Sequence, residues 1–94
     1  MAGLGNVGIS ITTNNHDLII PDGLATVIKL VVDEYISATN KFEPFNSCHE
    51  GYAVILEELD EAWAEIKANQ TENARREMIQ VAAMAIRFLM DCWK

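Results

Sequence analysis

A turn of only three residues, Asn69-Gln70-Thr71, separates two long segments in which apolar residues recur at helical spacing. The spacing predicts a helix from about Cys48 to Ala68 and another from about Glu72 to Trp93, with Thr71 as the cap of the later helix. A connection this short forces two consecutive helices to run antiparallel. The sequence therefore predicts a helical hairpin.

The predicted helix that begins at Cys48 has a recognisable capping signal at its N-terminus. In Ser47-Cys48-His49-Glu50 the Ser47 hydroxyl can accept from the Glu50 amide while the Glu50 side chain reaches back, as in a capping box. Pro44 breaks the chain before it, because the residue preceding a proline avoids helical dihedrals. An earlier helix is predicted from about Leu24 to Thr39, with Asp22 as its cap.

These elements predict an all-α fold, a three-helix unit of residues 21–94 preceded by an N-terminal arm of residues 1–20. The arm is rich in Gly, Asn and Thr, and we expect it to be flexible or to form one short strand at Val7–Thr12. The last helix is apolar on nearly every side, which indicates burial on several sides. Since the chain shows no fourth helix, we expect a partner subunit to complete the bundle, in a homodimer or a homotetramer.

Composition excludes several classes of function. The net charge of −7 argues against a nucleic-acid polymer as partner, because such binding depends on Lys and Arg. No apolar run reaches the length of a membrane span. The two cysteines, Cys48 and Cys92, provide no disulfide framework, and we expect reduced thiols in the cytoplasm. The Cys48-His49 pair lacks further ligands for zinc.

One sign of charge dominates the middle of the chain. Residues 42–66 contain seven carboxylates and no Lys or Arg. Like charges one turn apart oppose helix formation, so a cation that neutralises them would be stabilising. Glu58 and Glu61 lie one turn apart, just beside a predicted core stripe of Ile55, Leu59, Ala62 and Ile66.

A second pair of oxygen-bearing side chains follows on the next helix, where Glu77 and Gln80 are also one turn apart. Both pairs lie about eight residues from the turn, so they fall at similar heights along the hairpin. The four side chains are predicted to converge between the two helices and to hold Mg²⁺, which prefers oxygen ligands. The alternative is an acidic face that is simply solvated.

Glu57-Glu58-Leu59-Asp60-Glu61 followed by Glu77-Met78-Ile79-Gln80 resembles the EExxE and ExxD motifs of the all-α nucleoside triphosphate pyrophosphohydrolases. That superfamily includes MazG-like proteins and dimeric dUTPases. The resemblance covers about residues 45–93 and is greatest to the small MazG-like proteins of phages and bacteria. It implies hydrolysis of a nucleoside triphosphate to the monophosphate and pyrophosphate with Mg²⁺, or Mn²⁺ in its place, to sanitise or adjust a nucleotide pool.

The resemblance also implies roles for individual residues. Glu58, Glu61 and Glu77 would be metal ligands, and Gln80 would stand where the family has Asp. Glu57 would support a ligand or serve as the catalytic base for water. An amide oxygen lacks the formal charge of a carboxylate, so Gln80 should weaken the site. The rival hypothesis is therefore a non-catalytic oligomeric regulator that binds nucleotide or metal.

Three further residues are candidates for binding the substrate. Arg87, two turns past Gln80, is the best phosphate partner, with an intersubunit ion pair or a solvated edge as the alternatives. His49 can contact a phosphate or base, or serve only as a capping or surface residue. Asn46 can hydrogen-bond a base or cap the helix that follows.

Overall fold

The computed structural model describes residues 9–12 and 17–92, and the side chains of residues 20–92. Within these residues the chain forms the strands β1 (Ile9–Thr12) and β2 (Asp17–Ile20) and the helices α1 (Asp22–Lys41), α2 (Cys48–Lys67) and α3 (Thr71–Asp91). The predicted all-α class is confirmed, and each helix begins and ends within two residues of its predicted bounds. Trp93, the predicted end of α3, lies outside the described residues.

The N-terminal segment contains one strand more than predicted. β1 and β2 pair antiparallel, with Ile9 opposite Ile20 and Thr12 opposite Asp17. β1 falls inside the predicted strand at 7–12, whose first two residues are not described. β2 is the apolar, partly β-branched run before Pro21, a composition that favours strands when a partner is at hand.

The chain divides into two compact units, residues 1–30 and 31–94, with the boundary inside α1. This division differs from the predicted arm of 1–20 and helical domain of 21–94. In the first unit, Ala25 is buried. Every residue proposed from the sequence for the functional site belongs to the second unit.

The core of the second unit is small. The buried residues of its main cluster are Ala38, Phe45, Ala83 and Met84, and Ala62 is buried as well. Partly buried side chains packed against the main cluster are Val31, Tyr35, Val54, Ile55, Phe88 and Cys92. Close packing explains Gly51, where a Cβ atom would lie 2.7 Å from a Phe88 ring carbon and 3.0 Å from one of Phe45.

The turn between α2 and α3 is a Schellman motif. The Gln70 amide donates to the Glu65 carbonyl at 2.9 Å, and the Asn69 amide donates to the Ile66 carbonyl at 3.0 Å. Asn69 has a φ of 58°, the left-handed region that asparagine tolerates better than most residues. The next helix, α3, begins directly after this turn, with Gln70 at the cap position and Thr71 as the first helical residue. The predicted cap at Thr71 is therefore wrong.

Exposure on α2 departs from the predicted core stripe. Ala62 is buried and Ile55 is partly buried, but Leu59 and Ile66 are 44% and 45% exposed in the single chain. On α3 the apolar residues Met78, Leu89 and Met90 are also exposed. One hairpin packed on part of α1 cannot cover every apolar side of both helices, so the expected burial on several sides is absent from the monomer. Across residues 9–12 and 17–92, no helix is long and apolar enough to cross a membrane.

Candidate metal centre

Three carboxylates meet between α2 and α3. Glu58 and Glu61 lie one turn apart on α2, and Glu77 lies on α3 at the matching height set by the turn. One oxygen from each carboxylate lies within 4.8 Å of the other two. The structure thus brings together three of the four side chains that the sequence predicts to converge as ligands.

The surroundings of Glu58 and Glu77 disfavour the charged forms of these two carboxylates. Burial, followed by the charges of Glu61 and Glu77, raises the pKa of Glu58 from 4.5 to about 7. Burial comes first among the causes that raise the pKa of Glu77, followed by a hydrogen bond that its protonated form donates to Glu61 and by the charge of Glu61. Ionising Glu58 and Glu77 without a cation therefore costs free energy.

Two oxygens in the cluster are buried without a partner. Among the described residues, no donor reaches Oε2 of Glu58 or Oε2 of Glu77. Buried polar atoms are normally hydrogen-bonded, so an unpaired carboxylate oxygen needs an explanation. A cation between the helices would supply one.

The donor set fits a hard divalent cation. Oxygen ligands on opposite sides of one Mg²⁺ are at most about 4.2 Å apart, given bonds of about 2.1 Å. The 4.8 Å limit on the three oxygens of Glu58, Glu61 and Glu77 is close to that value, so small side-chain rotations are enough to close a shell. The carboxylates match the ligand type that Mg²⁺ and Mn²⁺ share.

A cavity of about 480 Å³ adjoins the cluster. It is lined by Glu34, Ala38, Phe42, Glu43, Pro44, Phe45, Asn46, Glu50, Val54, Glu57, Glu58, Gln80, Met84 and Arg87. Glu58 belongs to both the cavity and the carboxylate cluster, so a ligand in the cavity can reach an ion held there. Gln80 and Glu57 also face this space, as a neutral oxygen donor and a carboxylate respectively.

The connection between α1 and α2 forms one wall of the cavity and is held by two carboxylates. Glu50 accepts from the Asn46 backbone amide at 2.9 Å and from the Asn46 side-chain amide at 3.2 Å. The Phe45 amide donates to the Asp91 carboxylate at 2.9 Å. Ser47 caps α2 as predicted, with its hydroxyl accepting from the Glu50 amide at 3.1 Å. The Asn46 side chain therefore lines the cavity with its amide group already bonded.

Arg87 is buried, with 4% of its surface exposed, so a solvated edge is the wrong description of it. Its guanidinium donates to the Glu43 carbonyl at 2.8 Å and to the Met84 sulfur at 3.5 Å. The guanidinium carbon lies 4.3 Å from the centre of the Phe45 ring and 6.0 Å from that of Phe42. Arg87 thus anchors the wall and borders the cavity at the same time.

His49 lies apart from these groups. It lines a different cavity, of about 450 Å³, together with Cys48, Tyr52, Ile55 and Phe88. The structure therefore does not bring the His49 side chain together with the carboxylate cluster.

Two residues that position the site could not be assigned their partners from the sequence. Asp91 reaches a residue 46 positions earlier in the chain, and no spacing rule connects them. Glu50 was predicted to reach back within the capping box, but it accepts from Asn46, one residue before the cap. Between the two residues, Ser47 has an extended backbone, with φ −159° and ψ 165°.

Comparison of this chain with protein-family models, with curated proteins and with solved structures finds no match. The fold and site by themselves define an all-α protein with a cluster of three glutamates that can hold a metal ion, beside a cavity large enough for a small ligand.

Proposed function

We propose that this protein is a Mg²⁺-dependent nucleoside triphosphate pyrophosphohydrolase, with Mn²⁺ able to replace Mg²⁺, which sanitises or adjusts a nucleotide pool. The observation that carries the proposal is the convergence of Glu58, Glu61 and Glu77 to within 4.8 Å beside a cavity. The resemblance of 57–61 and 77–80 to the EExxE and ExxD motifs of MazG-like proteins supports the reaction type.

In this proposal the three glutamates hold the ion and Gln80 adds a neutral oxygen. When bound, a divalent ion offsets the negative charge of a triphosphate and lowers the pKa of water. Glu57, which borders the cavity next to Glu58, would act as the base that takes a proton from an attacking water. The protein contributes positioning and electrostatics, which are the main needs of phosphoryl chemistry.

The cavity suits the rest of a nucleotide. Its volume of about 480 Å³ is in the range of small-molecule sites, and its wall at 42–46 presents two aromatic rings. Phe42 is 63% exposed, so its ring is free to stack on a base. His49 opens onto another cavity, and a direct role for it in substrate binding has no support from its position.

A second candidate function is non-catalytic, an oligomeric MazG-like regulator that binds nucleotide or metal. It is favoured by Gln80, which removes one formal charge from the expected ligand set. The exposed apolar side chains of α2 and α3, including Trp63 at 55% and Leu89 at 65%, are consistent with assembly as a homodimer or homotetramer under either function.

The deciding assay is release of pyrophosphate from a panel of ribo- and deoxyribonucleoside triphosphates with Mg²⁺ or Mn²⁺. We expect release from at least one of them, loss of it in Glu58→Gln, and retention in the control Asp60→Asn. Asp60 is exposed and lies outside the carboxylate cluster. No release from any triphosphate by the folded protein contradicts the enzymatic proposal, and nucleotide binding without turnover would favour the regulator.

A further inference from the structure

The buried guanidinium of Arg87 has no acidic partner within the described residues. Its bonded neighbours are a backbone carbonyl of Glu43 and the sulfur of Met84, both uncharged. Its Nε–H is buried and bonded to nothing in the described part of the chain. Arginine is not deprotonated in proteins, so Arg87 places a positive charge at a position where only 4% of the residue's surface is exposed.

Such an arrangement is costly unless something compensates the charge. Removing an ion from water is unfavourable, and hydrogen bonds to neutral groups offset only part of the loss. The rings of Phe45 and Phe42 contribute a cation–π interaction, but they leave the Nε–H unpaired. Since Arg87 lines the 480 Å³ cavity, the missing partner can be a ligand inside it.

The position of Arg87 separates it from the carboxylate cluster. Glu77 and Arg87 are ten residues apart on α3, about 15 Å along the helix axis, and the arginine side chain leans back toward the helix start. Arg87 therefore cannot share the ligand shell of an ion held by Glu58, Glu61 and Glu77. The group that Arg87 meets in the cavity is therefore a different one from the groups that coordinate the ion.

We infer that Arg87 forms an oxyanion subsite of the cavity, binding a phosphate group that lies away from the ion, such as the terminal phosphate of the pyrophosphate moiety. This inference deepens the proposed function and rests on it. The cavity is also lined by the glutamates Glu34, Glu43, Glu50, Glu57 and Glu58, so an anion enters only when a divalent ion offsets their charge. Guanidinium pairs strongly with phosphate oxygens, and the free Nε–H supplies a donor for one.

The test observes the Nε–H of Arg87 directly. The chain has three arginines, Arg75, Arg76 and Arg87, so a ¹H–¹⁵N spectrum of their Nε groups is simple to assign with Arg75→Lys and Arg76→Lys. We expect inorganic pyrophosphate with Mg²⁺ to shift the Arg87 signal, and neither chloride at equal ionic strength nor a set of nucleosides to shift it. Nucleosides carry a base without phosphate, so they separate recognition of the base from recognition of the anion.

Calorimetry of pyrophosphate binding in the presence of Mg²⁺ measures how much Arg87 contributes to the affinity. Losing a hydrogen bond between charged groups should weaken binding by roughly 10- to 100-fold in Arg87→Lys or Arg87→Met. The control Arg75→Lys replaces an exposed arginine paired with Glu72 and should bind as the wild type does. The spectrum of the wild type needs no variant at Arg87, so the inference stays testable if both replacements unfold the protein.

Three results overturn the inference: an unmoved Arg87 signal in saturating pyrophosphate, a shift caused by nucleosides alone, or equal affinity in folded Arg87 variants. None of them bears on whether nucleoside triphosphates are hydrolysed, which the release assay decides. Conversely, a shifted signal in a protein that hydrolyses nothing retains the subsite and removes the catalytic proposal.

Discussion

Replacing Glu58 by Gln should make the metal-free protein more stable at alkaline pH. The substitution keeps the size of the side chain and removes one of three charges whose oxygens lie within 4.8 Å of one another. At that separation, each pair of like charges repels by about 0.9 kcal/mol in a medium as polar as water. Glu58 has two such neighbours, Glu61 and Glu77, which gives about 2 kcal/mol.

The pKa of Glu58 sets an upper limit to the same effect. A rise from 4.5 to about 7 corresponds to at most about 3 kcal/mol, and solvent screening of this partly exposed carboxylate lowers that figure. We therefore expect Glu58→Gln to raise the free energy of unfolding by about 2 kcal/mol at pH 8 in EDTA, measured by urea denaturation.

The pH dependence has a definite sign. Because the pKa of Glu58 is higher in the folded chain, the folded state binds its proton more tightly, so the contribution to stability is present below about 4.5 and lost as pH rises through about 7. Wild-type stability should therefore fall between these values. The advantage of Glu58→Gln should shrink accordingly as pH is lowered from 8 to 5.

Mg²⁺ should reduce the stability advantage of Glu58→Gln over the wild type. An ion at 100 times its dissociation constant stabilises the wild type by about 2.7 kcal/mol, and a variant lacking a ligand gains less. The control Asp60→Asn, an exposed carboxylate on the same helix, should change stability by less than about 0.5 kcal/mol in either condition. A loss of stability in Glu58→Gln at pH 8 in EDTA, or an equal gain in Asp60→Asn, refutes the reasoning.

Three other predictions follow from single contacts. Gln80→Asp should tighten Mg²⁺ binding by about tenfold in calorimetric titration, because it adds a formal negative charge to the ligand set, whereas Gln80→Asn should not tighten it. Equal binding heats in the two variants would place residue 80 outside the ligand set. Gly51→Ala should lower the free energy of unfolding by about 1 to 3 kcal/mol in urea denaturation, because the new Cβ would lie 2.7 Å from the Phe88 ring. The control Gly23→Ala, with nothing within 4 Å, should be neutral or stabilising, and a neutral Gly51→Ala would show that the rings move aside freely. Asn69→Ala should lower the free energy of unfolding by about 1 kcal/mol in the same measurement, because residue 69 has a φ of 58° that alanine adopts with strain. Asn69→Gly should leave it unchanged, and an equal loss in the two variants would point to a role for the asparagine side chain instead.

The helices and the convergence of carboxylates could be predicted because both depend on local rules. Helical spacing, the Ser47 cap and the short turn at 69–70 place the helix ends. Once the turn is known, the rise per residue brings Glu58 and Glu77 to the same height.

The cavity wall could not be predicted, because it depends on pairs far apart in the chain. Arg87 meets the Glu43 carbonyl 44 residues away, and Asp91 meets the Phe45 amide 46 residues away. Helical periodicity placed Arg87 at the edge of a face, while the folded connection at 42–46 covers it and leaves it buried. The strand β2 could not be predicted for a different reason: it is a short apolar run, and such a run becomes a strand only when a partner lies beside it.

The central claim is that Glu58, Glu61 and Glu77 bind a divalent ion together, and titration of Mn²⁺ followed by electron paramagnetic resonance tests it most directly. Binding removes the signal of free aqueous Mn²⁺, so bound ion is counted without any substrate or turnover. The account predicts that the wild type and Asp60→Asn bind Mn²⁺ alike, that Mg²⁺ competes, and that Glu58→Gln and Glu77→Gln each lose at least tenfold in affinity. Equal binding by all four proteins, or none by the wild type, would contradict it.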